Sequence, residues 1–148
     1  MFKRILVAVD GSDTAAQALQ EAIKLAREMQ AHLRIVHAVD TVNINLDMEF
    51  PYPPEFSEAL IKNGQAVLRK AEAVVKKAGI AVESHLIEID TMGQRIPESI
   101  AADADTWPAD LIVLCTHGRK GLSRLLLGSV AEGIVRVASK PVLLIRGK

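Results

Sequence analysis

Five short apolar runs recur along the chain, and each has the length of a β-strand. They lie at residues 5–9, 33–39, 82–89, 111–115 and 141–145. Continuous rather than alternating apolar character is typical of strands that are covered on both faces, as in a parallel sheet. The run at 82–89 is more mixed in polarity, so we expect that strand to lie nearer an edge of the sheet.

The segments between these runs show the spacing of amphipathic helices. They predict helices over residues 12–30, 56–78 and 129–138, and a short helix that opens at Ile96 and fades by Asp105. Ser12 can cap the first helix, and Gly79 follows lysines at the end of the second. The regular alternation predicts a single α/β domain over residues 1–148, with a mostly parallel sheet, helices on both faces and right-handed crossovers.

Composition argues against several classes of function. A chain of 148 residues can bury one sizeable core. Lys plus Arg and Asp plus Glu both total 18, and this balance argues against a basic nucleic-acid binder. Aromatic residues make up only 3%, so platforms for stacking single-stranded bases are not expected. We expect no nucleic-acid partner.

Cysteine content and hydropathy bear on the cellular location of the protein. Cys115 is the only cysteine, which excludes an internal disulfide, and no Cys/His cluster has the spacing of a zinc site. No apolar run approaches the ~20 residues needed to cross a bilayer. The first residues lead directly into a strand-like run, without the long apolar segment of a signal peptide. We therefore expect a cytoplasmic protein with no membrane partner.

The residues that could bind a ligand follow the carboxyl ends of two predicted strands. In open doubly wound sheets, ligands bind beyond the carboxyl ends of strands, where the strand order reverses. The first and fourth strands are the expected neighbours at that reversal. Their exits read Asp10-Gly11-Ser12 and Cys115-Thr116-His117-Gly118, which are the two most polar, glycine-containing exits in the chain.

The second exit has the features of a phosphate cradle. Glycines let a backbone approach an anion closely, and a helix N-terminus presents unpaired amides and a partial positive charge. The glycines, cations and hydroxyl that share this role are Gly118, Arg119, Lys120, Gly121, Arg124, Gly128 and Ser129. Asp10 can hold a divalent metal that bridges phosphates, because hard cations favour carboxylate oxygens.

Each candidate also has an interpretation that needs no ligand. Ser129 and Glu132 match the Ser-x-x-Glu pattern of a helix capping box. Gly118 and Gly121 can simply form turns. Solvent exposure or local hydrogen bonding explains the remaining polar candidates, which are Asp10, His117, Arg119 and Lys120.

Missing motifs argue against competing families. The chain has no Gly-x-x-x-x-Gly-Lys-Ser/Thr loop and no Gly-x-Gly-x-x-Gly after the first strand, so the usual mononucleotide and dinucleotide fingerprints are absent. It also lacks the Gly-x-Ser-x-Gly elbow of Ser-His-Asp hydrolases. A receiver domain would place Lys-Pro after the fifth strand, whereas Lys140-Pro141 precedes it.

Three stretches, spread over the whole chain, carry a family resemblance. The first is Ile5-Leu6-Val7-Ala8-Val9-Asp10-Gly11-Ser12. The second is Thr116-His117-Gly118, followed after nine residues by Gly128-Ser129. The third is Lys140-Pro141-Val142-Leu143-Leu144-Ile145. They resemble, in turn, the opening strand and loop, the nucleotide-binding signature Gly-x-x-Gly-x9-Gly-Ser/Thr, and the closing strand of the universal stress protein family.

This resemblance implies a fold and an assembly. The fold is a Rossmann-like open sheet of five parallel strands in the order 3-2-1-4-5. The assembly is a homodimer, commonly formed through the last strand, Val142–Ile145.

The resemblance also implies a site for ATP and Mg²⁺. In members that bind ATP, the Asp of the first loop lies near metal and phosphate; here that is Asp10, with Ala8 and Val9 lining the pocket. The backbone at the end of the second strand meets adenine, which maps to Ala38 or Val39. The residues that match the phosphate and ribose part, with their neighbours at the same site, are His117, Gly118, Arg119, Gly128, Ser129 and Val130.

Cys115 stands where the family signature has its first glycine. Cysteine packs as a small hydrophobic residue, but a thiol could crowd a backbone that must approach ribose. We therefore expect weakened or altered nucleotide binding rather than its loss.

Three functions stay open at this level. The first is an ATP-binding regulator of the stress response, with at most slow hydrolysis, since His117 is the only nearby candidate base. The second is a nucleotide-free dimeric module of the same fold that contacts regulatory proteins. The third is a small hydrolase of nucleotides or acyl compounds, which would need His117 or Asp10 for turnover.

Two further segments bear on assembly. The last strand is apolar and has little sequence left to cover its edge, which invites pairing with another chain. We expect Leu144→Lys to weaken such a dimer. The segment 40–54 contains Pro51, Pro53 and Pro54 and is long for a connection. It either folds over the nucleotide or borders the dimer.

Overall fold

The computed structural model describes residues 1–42, 53–116 and 127–147. Strands and helices alternate along these residues. The strands are β1 (Arg4–Ala8), β2 (His32–Asp40), β3 (Val82–Ile89), β4 (Leu111–Cys115) and β5 (Val142–Ile145). The helices are α1 (Asp13–Met29), α2 (Pro54–Lys77), α3 (Ile96–Thr106) and α4 (Ser129–Val137).

The five strands form one parallel sheet in the order β3-β2-β1-β4-β5. This confirms the predicted fold class and strand order. The chain runs outward from β1 to β3 and then returns to the other side of β1, so the strand order reverses between β1 and β4. β3 is an edge strand, as its mixed polarity predicts.

Two apolar clusters cover the two faces of the sheet. Ile5 and Val7 pack with α1 and α2 on one face, while Leu6 and Ile112 pack with α3 and α4 on the other. Successive strand residues point to opposite faces, so a continuous apolar run supplies both clusters. Burying one such side chain contributes roughly 1.5–3 kcal/mol, and all four are fully buried.

Local sequence signals set several helix boundaries. Ser12 is the N-cap of α1, where its Oγ accepts a hydrogen bond from the Ala15 amide at 3.1 Å. Gly79 follows α2 with a φ of 79°, in the left-handed region where helix endings favour glycine. Both features match the expectations from the sequence.

Candidate functional site

β1 and β4 separate near their carboxyl ends. Their pairing begins at Ile5 with Leu111 and stops at Val7 with Val113. On its other side, β4 stays paired with β5 as far as Cys115 and Ile145. The end of β4 therefore has no partner on β1, and a crevice opens between the two strands at the reversal of strand order.

β1 also separates from β2, one residue later. The last pair is Ala8 with Val36, after which the Val9 amide still donates to the Val36 carbonyl at 2.9 Å. The Val9 carbonyl then accepts a hydrogen bond from Nδ1 of His37 at 2.7 Å. A side chain thus takes the acceptor that the next backbone amide of β2 would use in a continued ladder.

That next amide belongs to Ala38. Backbone groups of alternate residues face opposite neighbours along a strand. The Val36 carbonyl faces β1, and the Thr41 amide faces β3, where it bonds to Ile89. Even-numbered residues of β2 therefore face β1 and odd-numbered residues face β3, so the Ala38 amide and carbonyl face β1. No hydrogen-bond partner for them occurs among the described residues.

Small side chains line one face of this crevice. Ala8 and Ala38 are partly buried against the apolar cluster of α3 and α4. Val9 belongs instead to the cluster of α1 and α2. The buried Val39 also faces α2, since its Cγ2 would lie 2.8 Å from a Cβ placed on Gly64. The strands therefore present only small side chains, Ala8 and Ala38, on the α3–α4 side of the crevice.

A tight turn after β1 orients Asp10. Gly11 has a φ of 84°, which side chains with a Cβ rarely adopt. The Ser12 amide donates to Oδ1 of Asp10 at 2.9 Å, and the Ser12 hydroxyl donates to the same oxygen. In the part of the chain that the structure describes, Oδ2 of Asp10 has no hydrogen-bond partner.

The donor set suits a metal that arrives with a phosphate. Within residues 1–42, 53–116 and 127–147, no three His, Cys, Asp or Glu side chains gather as a preformed metal site. Mg²⁺ keeps several waters and usually binds through one or two carboxylates plus substrate phosphates. Asp10 offers one such carboxylate, which fits that mode of binding.

The start of α4 lies at the β4 exit. The Thr116 amide donates to the Ile145 carbonyl at 3.0 Å, and the Gly128 amide donates to the Thr116 carbonyl at 2.6 Å. Gly128 is the N-cap of α4 and is buried, while Ser129 and Val130 in the first turn are exposed. The Gly128 amide therefore serves the fold, and the amides of the first turn have no acceptor within the helix.

The predicted capping box at Ser129 and Glu132 is wrong. Ser129 is the first residue of α4 rather than its N-cap, and no side chain caps this helix. Glu132 pairs instead with Arg136, one turn later, at 2.9 Å. The reason is tertiary: Gly128, whose amide donates to the Thr116 carbonyl, is the N-cap, so Ser129 already lies in the first turn.

Cys115 points away from the alanine face. It packs, partly buried, against the cluster of α1 and α2. A Cβ placed on Gly147 would lie 3.8 Å from its Sγ and 2.5 Å from Cγ2 of Thr14. The thiol therefore lies on the sheet face opposite to Ala8 and Ala38.

The structure brings most of the predicted residues to one edge of the sheet. They are Ala8, Val9, Asp10, Ala38, Val39, Cys115, Gly128, Ser129 and Val130. His117, Gly118 and Arg119 lie outside the described residues, as do Lys120, Gly121, Arg124 and most of the 40–54 segment.

The site residues expected from the sequence leave out two residues at this edge, although one of them, Thr116, stands in the predicted exit of the fourth strand. His37 holds the Val9 carbonyl, and Thr116 is the buried polar residue that links Ile145 to Gly128. A polar residue inside the apolar run 33–39 was the available signal for His37.

Comparison with known proteins agrees with this architecture. The family model described as the universal stress protein family matches residues 1–146. The universal stress protein MJ0531 of Methanocaldococcus jannaschii is 33% identical over 99% of this chain and 83% of its own length. The solved structure of hypothetical protein MJ0577 has a TM-score of 0.83 and 26% identity, covering 100% of this chain and 98% of that one.

A second solved structure carries a ligand. The universal stress protein from Archaeoglobus fulgidus in complex with dAMP has a TM-score of 0.69 and 28% identity, covering 97% of this chain and 98% of that one. The match to the family model over nearly the whole chain, together with this fold, shows that the chain belongs to the universal stress protein family.

Proposed function

We propose that this protein is an ATP-binding regulator of the stress response that holds ATP and Mg²⁺ in the crevice beyond β1. The observation that carries the proposal is the release of β1 from both neighbours at its carboxyl end, where pairing to β4 stops at Val7 and pairing to β2 stops at Ala8. A relative of the same fold is known in complex with dAMP, an adenine nucleotide.

The adenine base lies on the face of Ala8 and Ala38 in this proposal. Two methyl side chains leave space for a flat apolar ring, and the apolar cluster beneath them supplies a dry floor. The Ala38 amide and carbonyl face the opening. The amide can donate to the acceptor on the edge of adenine, and the carbonyl can accept from its amino group. The backbone of β2 would therefore recognise the base.

The phosphates lie near the start of α4. First-turn amides and the positive end of the helix dipole favour an anion, and Ser129 adds an exposed hydroxyl that no longer serves as a cap. In the sequence, His117, Gly118 and Arg119 enter the same loop and complete the proposed phosphate site. Mg²⁺, held by Asp10, would neutralise charge on the phosphates.

We propose a ligand role for the nucleotide rather than efficient catalysis. Ser12 donates twice to one oxygen of Asp10, which holds that carboxylate in the turn after β1, where the proposal uses it as a metal ligand and assigns no residue as general base. Any hydrolysis would therefore be slow, and nucleotide binding would act by stabilising one conformation of the two loops.

A homodimer formed through β5 is part of the same proposal. β5 is the outer strand next to β4, and its residues are partly or fully exposed, with Leu143 at 38%. An uncovered apolar edge favours pairing with a second copy. We propose that regulatory proteins read the nucleotide state of this dimer.

The cellular location follows from the ligand. ATP is an intracellular nucleotide, so we propose a cytoplasmic location. As a separate finding, none of the helices in the described part of the chain is long and apolar enough to span a bilayer.

Titration calorimetry and thermal unfolding with MgATP test the proposal. A ligand at 100 times its Kd stabilises the folded state by about 2.7 kcal/mol, which raises Tm by roughly 5–10 °C for a domain of this size. Ala38→Leu should abolish binding because it fills the crevice face, whereas Ala102→Leu, at an exposed position of α3, should not.

One result would favour the alternative. If millimolar MgATP and AMP produce neither heat nor a shift in Tm, the nucleotide proposal fails. The nucleotide-free dimeric module would then be the better description of this chain.

A further inference from the structure

His37 reaches from β2 to the end of β1. Its Nδ1 lies 2.7 Å from the Val9 carbonyl oxygen. A carbonyl oxygen only accepts hydrogen bonds, so Nδ1 must carry the proton. The ring therefore donates to the peptide that joins Val9 to Asp10 and fixes the orientation of that peptide.

The hydrogen bond from His37 to Val9 takes the place of a backbone hydrogen bond between β1 and β2. In a continued parallel ladder, the Val9 carbonyl would accept from the Ala38 amide. His37 occupies that acceptor, and the Ala38 amide is left without a partner among residues 1–42, 53–116 and 127–147. The His37 side chain thus stands where the Ala38 amide would donate to the Val9 carbonyl in a continued ladder.

Close packing from α2 holds the ring in place. A Cβ on Gly64, in the middle of α2, would lie 3.0 Å from Cδ2 of His37, 2.8 Å from Val39 Cγ2 and 2.9 Å from Leu86 Cδ1. Glycine inside a helix costs about 1 kcal/mol relative to alanine, and here it permits this approach. The ring is confined between the helix and the sheet.

We propose that His37 is a positioning residue for nucleotide binding, which keeps the Ala38 backbone free for the adenine edge and orients the peptide before Asp10. The inference rests on the proposed function. In this proposal His37, which lies under α2 and does not touch the nucleotide, determines how the backbone of Ala38 recognises the base.

Two substitutions separate positioning from general stability. Asn places an amide nitrogen close to the position of Nδ1, so His37→Asn keeps the donor. His37→Leu keeps an apolar side chain under α2 but removes the donor, which lets the Ala38 amide bond to the Val9 carbonyl. We expect His37→Leu to weaken MgATP and AMP binding by about tenfold or more, the size of one lost hydrogen bond, and His37→Asn to stay within a few-fold of the wild type.

Amide hydrogen exchange supplies a readout that a purely structural role would not move. In the nucleotide-free protein, the Ala38 amide should exchange more slowly in His37→Leu than in the wild type, although the variant is no more stable. Rapid exchange of Ala38 in all three proteins would overturn the inference.

The outcomes distinguish this inference from the proposed function. If the wild type binds MgATP and His37→Leu binds it equally well, the role of His37 is wrong and the proposed function stands. If the wild type binds no nucleotide, the proposed function and the assignment of Ala38 to adenine both fail. Exchange at Ala38 then still decides whether His37 displaces its amide from the ladder.

Discussion

At the scale of single residues, Gly11 is where backbone conformation and the proposed site coincide. Its φ of 84° lies in the left-handed region, and in the turn it makes, the Ser12 amide donates to Asp10 at 2.9 Å. Gly11→Ala should cost about 1–2 kcal/mol of folding free energy, lower Tm by a few degrees and weaken MgATP binding. Gly79→Ala is the matched control, because Gly79 has a φ of 79° with open space around it at the far end of α2. Equal loss of MgATP affinity in the two variants would contradict a role for the Gly11 turn in the site.

A second residue-scale prediction concerns the ion pair of Arg34 and Asp103. Nε and Nη2 of Arg34 donate to the two oxygens of Asp103 at 2.8 and 3.0 Å, and the side chains are only 15% and 10% exposed. The hydrogen bond to Asp103 is the main cause that raises the pKa of Arg34 above its usual value. A raised pKa means that this stabilisation is complete at neutral pH and is lost only in strongly alkaline solution.

Removing one partner of this pair should cost far more than removing both. Arg34→Met leaves the largely buried Asp103 carboxylate without its two arginine hydrogen bonds and with only His85, whose Nε2 lies 3.9 Å away, beside it. We expect this to lower the free energy of unfolding by about 3 kcal/mol. Adding Asp103→Leu should recover most of that loss, because no buried charge then remains. Urea unfolding of the two variants measures the difference. A double variant as unstable as Arg34→Met alone would show that the loss is one of packing.

At the scale of elements, two serines near helix starts should behave differently. Ser12 caps α1 through the Ala15 amide, whereas Ser129 is the first residue of α4 and caps nothing. Ser12→Ala should therefore cost about 1 kcal/mol, and Ser129→Ala only a few tenths. Thermal unfolding without nucleotide measures both losses. A larger loss at Ser129 would mean that its hydroxyl stabilises α4 in some other way.

The same two serines mark how far elements could be predicted. The spacing of the apolar residues predicted the described strands and helices at the right places in the chain, because that spacing depends on which faces of an element are buried. The start of α4 at Ser129 was also as expected, but the capping box was wrong, although the local pattern at Ser129 satisfies that rule. The N-cap is Gly128, whose amide donates to the Thr116 carbonyl, and that bond exists only once β4 and α4 have come together.

At the scale of the whole molecule, the sequence predicted which residues meet at one edge of the sheet, but not the strand register at that edge. Strand alternation and the resemblance fix the reversal of strand order at β1 and β4, so Asp10 and Gly128 were expected at one edge. The opening of the crevice depends instead on register. Three pairs join β1 to β4 and five join β1 to β2. The position of His37 against Val9 follows from that register, which composition and spacing do not reveal.

The proposed dimer is the remaining property of the whole molecule. The structure indicates a better substitution for testing it than Leu144→Lys. Leu144 packs against the α3–α4 cluster, so Leu144→Lys would also damage the core. Leu143, 38% exposed on the same strand, is the cleaner site, and Met92, 67% exposed beside the opposite edge strand, is its control. We expect Leu143→Lys to shift sedimentation towards monomer while Met92→Lys does not. Unchanged sedimentation of both would place any association on another surface.

Loss of the proposed dimer should also affect the proposed nucleotide site. The Ile145 carbonyl of β5 holds the Thr116 amide, and the Thr116 carbonyl holds Gly128 at the start of α4. A second copy that pairs with β5 would restrain this chain of hydrogen bonds, because it lies directly behind the strand. Leu143→Lys should therefore weaken MgATP binding at protein concentrations where the wild type is dimeric. Diluting the wild type until it is monomeric should weaken binding by the same factor, whereas an affinity independent of protein concentration would separate assembly from the site.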